Sequence, residues 1–178
     1  GGDIERVILN EFPVSIDSQE KIALLDNINT TYFGQSGLLG KNLDNSSNGR
    51  ISYSTKKKLV SLESGSEPIR ITLDHFSSHG LFIKKHFDID PNSYPIKVSH
   101  EIINQSENPH ELRPFVQIKR DNSKDPSNQS AMGLQAYLGF AISTAKQKYF
   151  KVPFSDLNDR TDIIEINSEI ENVNNNAN

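Results

Sequence analysis

Ile69-Arg70-Ile71-Thr72-Leu73-Asp74, the linker Ser77-Ser78-His79-Gly80, and Leu81-Phe82-Ile83-Lys84-Lys85-His86-Phe87-Asp88-Ile89 together decide the fold class. Apolar residues recur here at every second position. That period sends alternate side chains to opposite faces of an extended strand, whereas an amphipathic helix would space them by three or four. Ile69, Ile71 and Leu73 share one face, against Arg70, Thr72 and Asp74. In the second run Leu81, Ile83, Phe87 and Ile89 share a face, with Phe82, Lys84, His86 and Asp88 opposite. The four linker residues have the composition of a hairpin loop.

The same reading extends outward. Asp90-Pro91-Asn92-Ser93 breaks the chain before a third strand, in which Ile96, Val98, His100 and Ile102 line one side. Ser106-Glu107-Asn108-Pro109 turns it again, and Phe115, Val116 and Ile118 mark a fourth strand. The pattern predicts an antiparallel meander over about 69–119, of the kind that builds a sandwich. Upstream, residues 4–9, 21–25, 51–54 and 58–62 read as shorter strands, and Gly34-Gln35-Ser36-Gly37 as a turn cluster. Residues 121–130 carry almost no apolar side chain and read as a surface loop. Near the end, Ile163, Ile166, Ile170 and Val173 fit helical spacing while Ile164 and Ile166 fit a strand, so local pattern leaves both open. The predicted organisation is an all-β, mostly antiparallel sandwich over 1–167 and a polar, disordered tail over 168–178.

Composition narrows the function. Of 178 residues only 34% are hydrophobic, which implies much turn, loop and solvent-facing strand. The formal charge of −4 lacks the basic face that phosphate neutralisation requires, so no nucleic-acid partner is expected. Lys56, Lys57 and Lys58 form a dense basic run that reads as a solvated stretch. The absence of cysteine removes disulfides, zinc–thiolate sites and thiol nucleophiles. No apolar run approaches the roughly 20 residues that cross a bilayer. With Gly1-Gly2 at its start and no initiator methionine, the chain reads as a soluble segment of a larger extracytoplasmic protein.

A reactive centre is not expected. His75 and His79 straddle the hairpin, His86 and His100 lie on separate strands, and His110 sits beside a proline turn; none has a carboxylate at ligand spacing, so no metal is predicted. Gly34-Gln35-Ser36-Gly37 lacks the Gly-x-Ser-x-Gly order of a nucleophile elbow. No glycine-rich loop opens a helix, which leaves no phosphate cradle and no predicted cofactor.

One combination of motifs is more specific. Gly1-Gly2-Asp3-Ile4-Glu5, then Tyr32-Phe33-Gly34-Gln35-Ser36-Gly37-Leu38-Leu39-Gly40, then Asn48-Gly49-Arg50 resemble in order and spacing the periplasmic domain of the bacterial membrane-protein insertase YidC. The likeness continues through Gly139-Phe140-Ala141-Ile142-Ser143-Thr144 and Lys148-Tyr149-Phe150-Lys151-Val152-Pro153-Phe154, covering about 1–167. It implies a β-supersandwich similar to galactose mutarotase, on the periplasmic face of the inner membrane of a Gram-negative bacterium. It also implies a docking and accessory module whose partners are SecD, SecF, the Sec translocon and inserting membrane proteins. Gly1, Gly2, Gln35, Ser36, Gly37, Gly40, Asn48 and Gly49 are the structural motif residues it points to. The family continues with a Gly-Gly-Trp stretch and further strands, so a sandwich incomplete at both ends is expected.

The family's SecF contact region corresponds to roughly 133–167. Its candidates here are Tyr137, Phe140, Lys146, Lys148, Tyr149, Phe150, Lys151 and Phe154, since aromatic anchors beside charges suit a protein interface. The plainer reading makes these aromatics core and these lysines a solvated face. Two other functions fit the implied architecture. A carbohydrate-binding or mutarotase-like protein would need a histidine and a carboxylate converging in the cleft. A chaperone-like surface would need an exposed apolar cleft.

Overall fold

In the computed structural model the chain is described over residues 1–44, 49–56, 58–63, 65–123, 137–143 and 148–157. Among the described residues nine strands are antiparallel to their partners: β1 (Arg6–Pro13), β2 (Lys21–Asp26), β3 (Tyr32–Leu39), β4 (Ile69–Phe76), β5 (Leu81–Ile89), β6 (Ile96–Asn104), β7 (Arg113–Arg120), β8 (Gly139–Ile142) and β9 (Phe150–Pro153). The helical content among the described residues is one 3-10 turn, Phe154–Leu157. The protein is all-β, as the alternation predicts. Chain contacts divide it into two units, Gly1–Asp121 and Asn122–Asn178.

In the first unit the first three strands of the expected meander form a sheet in the order β4-β5-β6, but the fourth, β7, leaves it to pair with β3, so the meander ends at Asn104 and not near residue 119. Its register runs from Ile69↔Ile89 to Phe76↔Phe82 and from Leu81↔Asn104 to Ile89↔Ile96. Gly80 closes the β4–β5 loop at φ +80°, a conformation that costs glycine nothing and other residues about 1 kcal/mol or more. β3 pairs with β7 over eight residues, from Tyr32↔Arg120 to Leu39↔Arg113, and β1 with β2. Leu38 from β3, Leu43, Ile51, and Leu81 and Ile83 from β5 form the buried core, with Tyr53 and Leu112 packed against it.

The N-terminal part corrects several expectations. Gly34-Gln35-Ser36-Gly37 lies inside β3 and is not a turn. Its glycines weaken the local strand signal, but a full ladder to a strand about 80 positions away overrides local propensity. Residues 51–54 and 58–62 form no strand; the segment contributes the single bridge Ser54↔Asp74. Leu59 is largely exposed, so alternation there has no buried face to fill. The expected tail at 168–178, the helix-or-strand ambiguity at 163–173 and most of the 121–130 loop lie outside the described residues.

Candidate functional site

Four charged side chains meet where β3, β5 and the segment before β1 converge. Lys85 sits on the Leu81–Ile83 face of β5 and is fully buried, at 0% exposure. Its Nζ donates to three backbone carbonyls: Gly1 at 3.0 Å, Gly2 at 2.8 Å and Ser36 at 2.7 Å. Arg50 donates to the Ser36 carbonyl at 2.9 Å, pairs with the Asp3 carboxylate, and faces Asp44 Oδ2 at 3.2 Å. Asp44, itself buried, accepts from the Leu38 amide at 3.2 Å and the Ile51 amide at 3.0 Å. Gln35 donates to Asp3 at 3.0 Å and accepts from Gln117 at 2.6 Å. Among these side chains two cations face two anions, as a buried charge requires, although Arg50 Nε and Nη1 are buried without a hydrogen-bond acceptor among the described residues.

Gly1, Gly2 and Gly37 make room for this cluster. A Cβ on Gly1 would lie 2.6 Å from Arg50 Nε, and one on Gly2, whose φ is +57°, 2.7 Å from Leu73 Cδ1. On Gly37 it would overlap Asp44 Oδ2 and come within 2.8 Å of Arg50 Nη1. Gly40 is tight against Leu112, at 2.9 Å, whereas Gly49 takes φ +71° in open space. Asn48 lies outside the described residues. Sequence reasoning missed Lys85, Asp3, Asp44 and Arg50 as a group. The available signal was Lys85 itself, a lysine on the apolar face of β5.

Titration follows from this burial. Burial pushes the Lys85 ammonium down to about 8, partly opposed by the Asp3 carboxylate. Burial, with Asp44 adding to it, raises the Tyr53 hydroxyl to about 12. Burial and then Lys85 lower His100 below its ordinary 6.5. For Asp3 burial is the largest influence and acts upward, but hydrogen bonds from Gln35 and Arg50 and the Arg50 charge outweigh it, leaving the carboxyl below 3.8. Between pH 8 and 10.5 the unfolded chain holds a proton on Lys85 that the folded chain has released, so stability rises with pH. Above pH 10 Tyr53 opposes this, because it ionises only when unfolded. His100 and Asp3 also hold protons less tightly when folded, so their contributions fade as pH falls below 6.5 and again below 3.8. Urea titrations are expected to show stability climbing by on the order of 2 kcal/mol between pH 8 and 10. A flat profile there would contradict the burial-lowered titration of Lys85.

Beside the cluster lies an apolar groove of about 510 Å³. Ile4 and the Gly34–Ser36 backbone form one wall, β7 from Pro114 to Ile118 another, and Ile96, Val98 and His100 of β6 a third. Among the described residues no carboxylate lines it. His100 Nε2 is buried there without a hydrogen-bond partner. The close His86–Glu101 approach, 3.5 Å, lies on the opposite side chain set of β5 and β6, which also contacts Thr72 and Lys84. On β7, Val116 is 82% and Ile118 62% exposed.

In the second unit β8 and β9 pair from Gly139↔Pro153 to Ile142↔Phe150. Phe154 is buried and meets Phe140 edge-on, with centroids 5.2 Å apart, while Phe150 is half-buried. Lys148 is exposed. Lys151 Nζ lies 4.8 Å from the Tyr137 ring and 5.0 Å from the Tyr149 ring, a cation held between two aromatic faces. Tyr149 is 71% exposed at φ +67°. Lys146 lies outside the described residues.

The model of the YidC periplasmic domain matches residues 1–176. A membrane protein insertase YidC from Marinobacter nauticus is 35% identical over 163 residues, covering 90% of this chain and 29% of that protein. The insertase YidC of Pseudomonas fluorescens is 40% identical over 160 residues, 88% of this chain and 28% of its own length. That of Azotobacter vinelandii is 37% identical over 163 residues, with 90% and 29% covered. The chain thus spans less than a third of these relatives. With a match over nearly its whole length and motif glycines gathered around one ionic cluster, the chain belongs to the YidC periplasmic domain family.

Proposed function

We propose that the chain is a non-catalytic docking and accessory module, working on the periplasmic face of the inner membrane beside the machinery that inserts membrane proteins. Membership in the YidC periplasmic domain family carries this reading. The contact surface is the β8–β9 hairpin, where Tyr137, Lys151 and Tyr149 form an exposed aromatic–cation stack. Aromatic rings with few rotatable bonds, set beside a fixed charge, are the residue types that anchor protein interfaces. The left-handed backbone of Tyr149 costs on the order of 1 kcal/mol and holds its ring outward, which fits a presented contact. The partners are the periplasmic regions of SecD and SecF.

A second reading, a chaperone-like surface for inserting chains, is favoured by the apolar groove and by Val116 and Ile118 at its rim. A sugar-acting centre has no such support, because among the described residues no carboxylate meets a histidine in the groove.

Photo-crosslinking separates these readings. A crosslinker at Tyr149 is expected to capture SecD or SecF periplasmic regions, and Lys151→Glu to cut that yield at least fivefold. The same group at Leu59, exposed elsewhere, serves as the baseline. Capture at Tyr149 no better than at Leu59 would end the docking claim. Capture of unfolded client at Val116 or Ile118 instead would favour the chaperone-like surface.

A further inference from the structure

We propose that residues 1–4 form a strap, latched by Lys85 and Arg50, that closes the β3 side of the apolar groove and opens it when released. Gly1 and Gly2 have no side chains to pack, so backbone polarity holds them. The Gly1 nitrogen donates to the Ile51 carbonyl at 2.8 Å, and the Gly1 and Gly2 carbonyls end on Lys85. Asp3 is gripped by Arg50 and Gln35. Only then does Ile4 pair with Gly34, through hydrogen bonds of 2.9 and 3.0 Å. Among the described residues that bridge is the one ladder contact on this edge of β3, whose other edge is filled by β7 over eight pairs.

Ile4 is also the strap residue that lines the groove, beside Gly34, Gln35 and Ser36. Lifting residues 1–4 therefore removes one wall and bares the β3 backbone along the cavity. Two features make the release cooperative. Lys85 and Arg50 share the Ser36 carbonyl, so loss of the strap leaves both cations with fewer partners at once. The anion that balances them from the strap side is Asp3, whereas Asp44 stays with the Leu38 and Ile51 amides. A latch of directional polar bonds opens as a unit, while the hydrophobic core beneath, Leu38, Leu81 and Ile83, keeps its packing.

Amide exchange followed by NMR tests the strap. Asp3→Asn keeps the side-chain shape and removes the charge. It is expected to speed exchange at the Ile4 and Gly34 amides at least tenfold, to leave β4–β5 amides unchanged, and to raise binding of an apolar fluorescent dye severalfold. Unchanged Ile4 and Gly34 rates, or equal acceleration everywhere, would overturn the proposal. Since the chain has no cysteine, Ile4→Cys with Gly34→Cys can pin the strap covalently in the Asp3→Asn background. Space exists at Gly34, where a Cβ meets its nearest neighbour at 3.9 Å. Oxidation is expected to return dye binding to the wild-type level. Persistent excess dye binding would place the opening elsewhere and refute the strap.

Discussion

An Asp44→Ala protein is expected to lose about 3–5 kcal/mol of stability, the range seen when one member of a buried ion pair is removed. Asp44 is 2% exposed, and both its oxygens are in use. Oδ1 accepts from the Ile51 amide, while Oδ2 accepts from the Leu38 amide and faces Arg50. Alanine orphans two buried amides, each costing about 1–3 kcal/mol when left without a partner. It also leaves Lys85 and Arg50, two cations on the same carbonyl, with Asp3 as their remaining counter-charge. For a chain of this length the loss corresponds to a fall in melting temperature of roughly 10 °C. Urea unfolding followed by circular dichroism reads it directly; a loss below about 1 kcal/mol would show that the cluster is wetter or looser than its hydrogen bonds imply.

Gly37→Ala is expected to be nearly as damaging for a steric reason. The added methyl would overlap the Asp44 carboxylate and press on Arg50 Nη1 at 2.8 Å and on Phe115 Cε1 at 2.9 Å. Asp44 is held by the Leu38 and Ile51 amides, and Arg50 by Asp3 and the Phe115 ring, so the methyl is accommodated only by disturbing these contacts. Overpacking of a close-fitted interior costs about 1–3 kcal/mol, and displacement of Asp44 adds part of the loss argued above. Gly34→Ala is the control on the same strand. Its methyl would meet only Leu25 Cδ1, at 3.9 Å, so the change is neutral or stabilising by up to about 1 kcal/mol through strand propensity. Equal effects at Gly34 and Gly37 would contradict the crowding explanation. Because both damaging changes act on one cluster, the Asp44→Ala, Gly37→Ala double variant should lose less than the sum.

β4, β5 and β6 were legible because each pairs with a sequence neighbour and has one apolar face, whereas β7 was legible as a strand but not as the partner of β3. The hairpin at residues 77–80 and the shared side of Val98 and His100 follow from local pattern alone. β3 was not legible. Its pairing partner begins at Arg113, and its glycines, read locally, are turn residues. Nor did the motif residues announce what they surround. Gly1, Gly2 and Gly37 could be grouped through family resemblance, but no spacing in the sequence connects them to Lys85, Arg50 or Asp44.

Alternation of side chains by itself determined that this protein is all-β and that β4, β5 and β6 lie side by side, since a period of two leaves a strand one way to bury its apolar face. Tertiary structure alone decided that a lysine on that face ends on three carbonyls from two distant segments. The reason is physical: an ion can be buried only where compensating dipoles and charges converge, and that convergence is a property of the folded chain's three-dimensional path, invisible along its length.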